Sequence, residues 1–271
     1  MSEIGRQREY QIDRWMVSVT RILALSCGKA PHPCGVGKAT GFFYEKDGQK
    51  YLITNRHVIL EESREEGGEE LGFYPDSLRI RVHISGGSWE NRYITIPLYY
   101  DNREPKWLEH PNNSNLPPSD KIDVVAINID SYVSSSDIIT YWSRNYFLPD
   151  DEMLGIGQQT LIVGYPMGFY DRIQNFPITK SGTLASPYPI YFERKPFFLI
   201  DANLSSGMSG SPVILPTRSL RTLKTRTTAI QTPPFPASLL GIFSGEYSSN
   251  GIRLGLNQVW YPTLIEQILS R

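Results

Sequence analysis

The chain is poor in cysteine. Its 271 residues contain two, Cys27 and Cys34. A secreted enzyme of this length ordinarily carries more, joined in disulfides. Their C-x6-C spacing fits no zinc motif and no further cysteine lies near. Two unlinked thiols are the expectation, although spacing alone does not decide whether they are bridged. Histidine is scarce as well: His32, His57, His83 and His110 are scattered, with no His-Glu-x-x-His among them, which argues against a metalloenzyme. No metal and no cofactor is expected.

An excess of charge of one sign is also missing. Lys+Arg number 27 against 28 Asp+Glu, a formal net charge of −1. General nucleic-acid binders show a basic excess, as do proteins that coat anionic membranes, so neither partner is expected. No apolar run approaches the ~20 residues that a membrane-spanning helix needs. The segment from Trp15 to Leu25 is fairly apolar and ends in Ala24-Leu25-Ser26-Cys27, faintly like a lipoprotein cleavage site. However, Arg21 interrupts it and Glu3, Glu9 and Asp13 precede it, which does not suit a signal peptide. The expected setting is cytoplasmic, with periplasmic or secreted as the alternative.

What the sequence has in quantity is turn formers and strand formers: 22 Gly, 20 Pro and 16 Tyr, with many Val/Ile/Thr runs. These predict a mainly β protein. Strands are expected over 16–22, 39–44, 51–55, 78–84, 93–99, 123–129, 159–166, 179–185, 196–202, 213–215 and 239–244. Asp47-Gly48 marks a hairpin between the second and third. Residues 61–70 read as an acidic exposed loop, 101–120 as a long Asn/Pro-rich surface loop, and 216–236 as a solvated basic stretch. The segment 262–269 has apolar residues at i, i+1, i+4 and i+5 behind Pro262, an amphipathic helix. The Ser-rich and acidic stretch 131–154 breaks the rhythm and divides the chain into an N-terminal part, 1–140, and a C-terminal part, 141–271.

The stretch from Asn203 to Val213 holds the strongest candidate for chemistry. In Gly207-Met208-Ser209-Gly210-Ser211-Pro212 a serine sits in a glycine turn. Such a turn can present a hydroxyl and aim backbone N–H groups at a developing oxyanion. A neutral serine is a weak nucleophile and needs a base. A histidine base in turn needs a carboxylate to fix its tautomer. His57, at the end of a predicted strand, and Asp123, at the start of a buried one, supply candidates. Asp120 and Asp130 are rival carboxylates. His32, His83 and His110 lack such a context and are expected at the surface.

Thr40-Gly41-Phe42-Phe43, Leu52-Ile53-Thr54-Asn55-Arg56-His57-Val58, Asp123-Val124-Val125-Ala126 and the serine block together resemble the motifs of trypsin-like serine proteases. Gly164-Tyr165-Pro166-Met167-Gly168 and Ser181-Gly182-Thr183 are similar to blocks of the bacterial HtrA/Deg-type branch. The resemblance covers roughly 15–270. It implies an all-β fold of two six-stranded antiparallel β-barrels of chymotrypsin type with a C-terminal helix. One barrel would carry His57 and Asp123, the other Ser209. It implies His57 as general base, Asp123 as its partner, Ser209 as nucleophile and the amides of Gly207 and Ser209 as the oxyanion hole. The implied partner is a protein or peptide substrate, with room for a regulatory partner protein.

Departures from the family carry information too. Met208 stands where digestive enzymes have the acid that pairs with a freed N-terminus, so that form of activation is not expected. Ser211 replaces a glycine. The PDZ domain that HtrA proteins usually add after the protease is not expected within these residues. Asn203 occupies the position of trypsin's specificity acid. Ser244-Gly245-Glu246 resembles the edge that pairs with substrate backbone, with Glu246 at the mouth of the primary pocket. An α/β-hydrolase is disfavoured, because residue 211 is not glycine and the order His, Asp, Ser is the reverse of that class. The remaining rival is a catalytically silent trypsin-like fold acting as a protein-binding or regulatory module.

Overall fold

The computed structural model describes residues 14–26, 35–60, 74–85, 90–117, 120–149, 152–216, 237–249 and 251–270. Cys27, His32 and Cys34, the acidic stretch 61–70 and the basic stretch 217–236 lie outside the described residues. Among the described residues no helix is long and apolar enough to cross a membrane.

Eight strands belong to the N-terminal part: β1 (Val19–Ser26), β2 (Gly35–Lys46), β3 (Gln49–Thr54), β4 (Ser77–Ile84), β5 (Asn91–Pro97), β6 (Trp107–Glu109), β7 (Val125–Asn128) and β8 (Asp137–Ile138). They pair in the order β5-β4-β1-β2-β3-β7-β6, with β8 on β4. Six belong to the C-terminal part: β9 (Gln159–Gly164), β10 (Ile178–Leu184), β11 (Phe197–Asp201), β12 (Pro212–Pro216), β13 (Ala237–Ser249) and β14 (Ile252–Trp260). These close into a barrel in the order β10-β11-β14-β13-β12-β9. The expected six-stranded barrel is thus present in the C-terminal part. Among the described residues the N-terminal sheet has eight strands, and no ladder between β5 and β6 closes its path. Its ends, β5 and β6, meet through the chain between them, where Lys106 N–H donates to Leu98 O at 2.8 Å and Tyr99 bridges Pro105. Pro97 and Pro105 have no N–H to extend a ladder there.

The β2–β3 hairpin turns at Asp47 and Gly48, with φ of 52° and 77°. This is the left-handed pair that a two-residue hairpin of type I′ requires. The middle of β2, residues 39–44, is buried on both faces. Phe43 packs into the interior of the N-terminal sheet with Ile22, Leu52, Ile80 and Ile127. Phe42 and Tyr44 face the other way, into a cluster shared with Trp142, Phe197, Trp260 and Leu264. β11 behaves likewise: Phe198 and Ile200 fill the barrel, while Phe197 and Leu199 join the shared cluster. Strands buried on both faces read as continuous apolar runs, as these do.

Two short α-helices are found among the described residues. A short turn of helix, α1 (Arg56–Ile59), leaves the end of β3. The C-terminal helix α2 (Thr263–Leu269) buries Leu264, Ile265 and Ile268 in the shared cluster. Tyr44 Oη donates to Glu266 at 2.5 Å, so α2 is fastened to the N-terminal sheet. Burial and this carboxylate push the Tyr44 hydroxyl far above its ordinary pKa.

His83 and His110 are not at the surface as expected; they are 4% and 7% exposed. His83 Nε2 lies 2.7 Å from Gln174 O and its ring stacks on Phe176. Burial pulls its pKa below the ordinary value, against the opposing hydrogen bond to Gln174. His110 Nε2 lies 2.9 Å from Gln267 on α2. Both rings are covered by residues distant in sequence, which alternation within one strand does not reveal.

Candidate active site

The His57 turn is held from beneath. Arg56 is buried and its Nε donates to Glu109 at 2.8 Å. Glu109 also accepts from Trp107 Nε1 at 2.9 Å and Asn113 Nδ2 at 3.3 Å. Burial alone would raise the pKa of Glu109, but Trp107, Arg56 and Asn113 together hold it below the usual carboxylate range. Asn113 then acts like a strand partner for Ile122: its Oδ1 accepts from Ile122 N–H at 2.8 Å and its Nδ2 donates to Ile122 O at 3.0 Å. The neighbour of His57 and the neighbour of Asp123 are thereby tied to one polar cluster. Neither Glu109 nor Asn113 carries a motif in the sequence. Their only signal is a polar pair in a stretch that reads as loop.

Asp123 meets His57 twice. Its Oδ1 accepts from His57 N–H at 2.8 Å, and its Oδ2 lies 2.8 Å from His57 Nδ1. An ionised carboxylate only accepts, so Nδ1 carries the proton and Nε2 is the basic nitrogen. Asn55 Nδ2 donates to Asp123 O at 2.7 Å. Burial pushes the Asp123 carboxyl upward, but the His57 charge and the hydrogen bonds from His57 and Ser244 outweigh it and hold its pKa below the ordinary value. The rivals lie elsewhere. Asp120 pairs with Lys195 at 3.0 Å, and Asp130 accepts from Lys50 N–H at 3.2 Å.

The Ser209 loop is held by its backbone. Thr40 is the staple: its N–H donates to Ser209 O at 2.9 Å and its hydroxyl donates to Gly207 O at 2.8 Å. The same hydroxyl accepts from Tyr165 N–H at 3.0 Å. Gly207 and Gly210 have φ of 87° and 85°, in the left-handed region. A Cβ on Gly210 would sit 2.2 Å from Thr40 O. Met208 is fully buried in the barrel interior. Ser211 is fully buried too, its hydroxyl without a hydrogen-bond partner among the described residues. The N–H groups of Met208, Gly210 and Ser211 donate to Ser205, Phe243 and Met208 carbonyls. Among the described residues, those of Gly207 and Ser209 donate to no backbone carbonyl.

Ser244 joins the two sides. Its hydroxyl donates to Asp123 Oδ2 at 2.6 Å, and its carbonyl accepts from Ser209 Oγ at 3.1 Å. His57, Asp123, Ser244 and Ser209 therefore form one connected group at the seam between the sheets, with His57 44% exposed at its side chain. The sequence offers Ser244 only as part of a substrate edge; its contact with the carboxylate was not legible there.

Residues 39–220, which include His57, Asp123 and Ser209, match the family model of the trypsin-like peptidase domain. The chain belongs to the trypsin-like peptidase domain family. Its fold is also that of an HtrA-type protease, AlgW, solved as a serine-to-alanine variant with a tripeptide. The two align with a TM-score of 0.51 and 13% identity over 95% of this chain. This chain spans 60% of the length of that one. No curated protein sequence matches.

The remaining predicted residues are dispersed. Gly245 is half-buried with open space above its Cα. Glu246 is exposed and pairs with Arg253 at 3.4 Å across the β13–β14 hairpin. Asn203 is exposed in an open depression of about 410 Å³ with Gln159, Ser181, Thr183 and Asp201. None of Ser244, Gly245 and Glu246 lines that depression.

Proposed function

We propose that this trypsin-like domain is a serine endopeptidase that hydrolyses protein or peptide substrates through an acyl-enzyme. Ser209 Oγ attacks the scissile carbonyl while His57 Nε2 takes its proton. Asp123 holds the Nδ1–H tautomer and stabilises the imidazolium. The N–H groups of Gly207 and Ser209 stabilise the oxyanion. The imidazolium then protonates the leaving amine, and the same ring activates water to release the acyl group. Substrate backbone runs along Ser244–Glu246, where β13 has passed beyond its pairing with β12. The N-terminal sheet serves as the counterpart of the barrel, presenting base and acid to the nucleophile. The scheme needs no cofactor, and the proposed setting is cytoplasmic, with periplasmic or secreted as the alternative.

The observation that carries this reading is the continuous link from His57 through Asp123 and Ser244 to Ser209. A fluorophosphonate probe tests it. Labelling is expected in the wild type and absent in Ser209→Ala and His57→Ala. Peptidase activity of Ser209→Ala is expected to fall on the order of 10⁴- to 10⁶-fold; unchanged activity overturns the assignment. One observation favours the rival, a silent binding or regulatory module: Ser209 Oγ donates to the carbonyl of Ser244 at 3.1 Å. On that reading the folded wild type takes no label.

A further inference from the structure

The chain leaving β9 turns back beside the nucleophile loop and exposes apolar side chains there. Met167, Phe169 and Ile173 are 69%, 64% and 85% exposed. Met167 is non-glycine yet has φ of 52°, and Gly168 comes next at 74°. A left-handed conformation at an unbranched residue is a cost that its surroundings must offset. Those surroundings are the nucleophile loop itself. Met167 N–H donates to Ser206 O at 2.6 Å, and a Cβ on Gly207 would lie 2.9 Å from Met167 N and 3.1 Å from Gly168 N. Further along, Arg21 lies over the Tyr170 ring at 4.3 Å and His83 meets Gln174. The segment is pinned at both ends, so its apolar side chains are held out into solvent rather than left there by slack chain. Large apolar side chains held out beside the nucleophile loop offer contact area to an apolar partner.

Its place relative to Ser209 names the occupant. Ser244 contacts the hydroxyl of Ser209, whereas Thr40 holds the loop backbone at Ser209 O and Gly207 O, and Gly207 adjoins Met167. An extended peptide whose acyl half lies along Ser244–Glu246 leaves the nucleophile toward Gly207 and Met167. Resting on the peptidase reading above, we infer that Met167 and Phe169 form a leaving-side subsite that selects substrates with a large apolar residue at the first or second position after the cut.

Digestion of a mixed peptide library, read by mass spectrometry on both sides of each cut, tests this. The wild type is expected to enrich apolar residues after the cut on the order of ten-fold. The variant Met167→Asn/Phe169→Ser and the single variant Phe169→Ser are expected to lose that enrichment while the preference before the cut persists, which also shows that they fold. Cleavage by the wild type with no preference after the cut overturns the subsite and leaves the peptidase intact. The same holds if enrichment survives in both variants. Absence of both cleavage and fluorophosphonate labelling overturns the peptidase reading, and the subsite with it.

Discussion

The two sides of the seam hold their reactive groups by different physics. On the N-terminal side, His57 and Asp123 are fixed by side-chain polar contacts: the carboxylate of Asp123, and behind it Arg56, Glu109 and Asn113. On the barrel side, Ser209 is fixed by backbone hydrogen bonds, by two left-handed glycines and by Met208 buried beneath it. The first side is therefore sensitive to charge and proton concentration, and the second to volume. That contrast fits the chemistry proposed. A base must be tuned electrically, whereas an oxyanion hole depends on where its N–H groups point.

Each prediction presses on one side of this contrast. The largest effect is expected from Asp123→Asn, which keeps the shape but removes the charge and the tautomer preference. Turnover should drop by about 10⁴-fold, far more than the fall in thermal stability that comes with losing the Asp123 charge, both measured on the same preparation. An equal loss of folding would erase the distinction between the sides. Gly210→Ala is the converse change. It adds one methyl 2.2 Å from Thr40 O at a φ of 85°, and should destabilise the protein by about 2–4 kcal/mol. Denaturant unfolding reads this; a loss below about 0.5 kcal/mol would mean that the loop yields easily.

Acid should separate the sides next. Glu109, Asp123 and Asp137, each held below the ordinary carboxylate range, all belong to the N-terminal part. Their folded-state pKa values lie under the unfolded ones. The stability they contribute is present above about pH 4 and is lost as pH falls through the lowered values. His83 is also lowered, with the neutral ring favoured by the fold, so its contribution declines earlier, below about pH 6.5. Hydrogen exchange at pH 3 should show β3, α1 and β7 opening before the barrel strands; simultaneous opening would contradict the contrast. The smallest effect is expected at Glu246→Gln. The exposed pair with Arg253 contributes at most about 1 kcal/mol, so stability should hardly move, and any change should appear in the residue preferred before the cut.

Legibility in the sequence divided along the same line. The blocks around His57, Asp123 and Ser209 stand out because glycine turns and doubly buried strands leave local signatures. The Asp47-Gly48 hairpin was legible for the same reason, since left-handed backbone calls for those residues. β6 was hidden in the stretch 101–120, because three residues paired to β7 carry no periodicity of their own. β14 was also missed: its first residues are exposed and Gly255, at φ of 70°, interrupts its alternation. The supporting cluster of Arg56, Glu109 and Asn113, the contact of Ser244 with Asp123, and the burial of His83 and His110 all arise between distant segments. Such contacts depend on how the sheets meet and have no expression in local residue order.

The attachment of α2 to the first sheet bears on the timing of synthesis. A ribosome delivers His57 and Asp123 well before Ser209, then β13 with Ser244, and α2 later still. Ser244 completes the set of donors around Asp123, and Glu266 and Gln267 of α2 close onto Tyr44 and His110. On the proposed reading the growing chain carries no competent cleft until these late segments have docked.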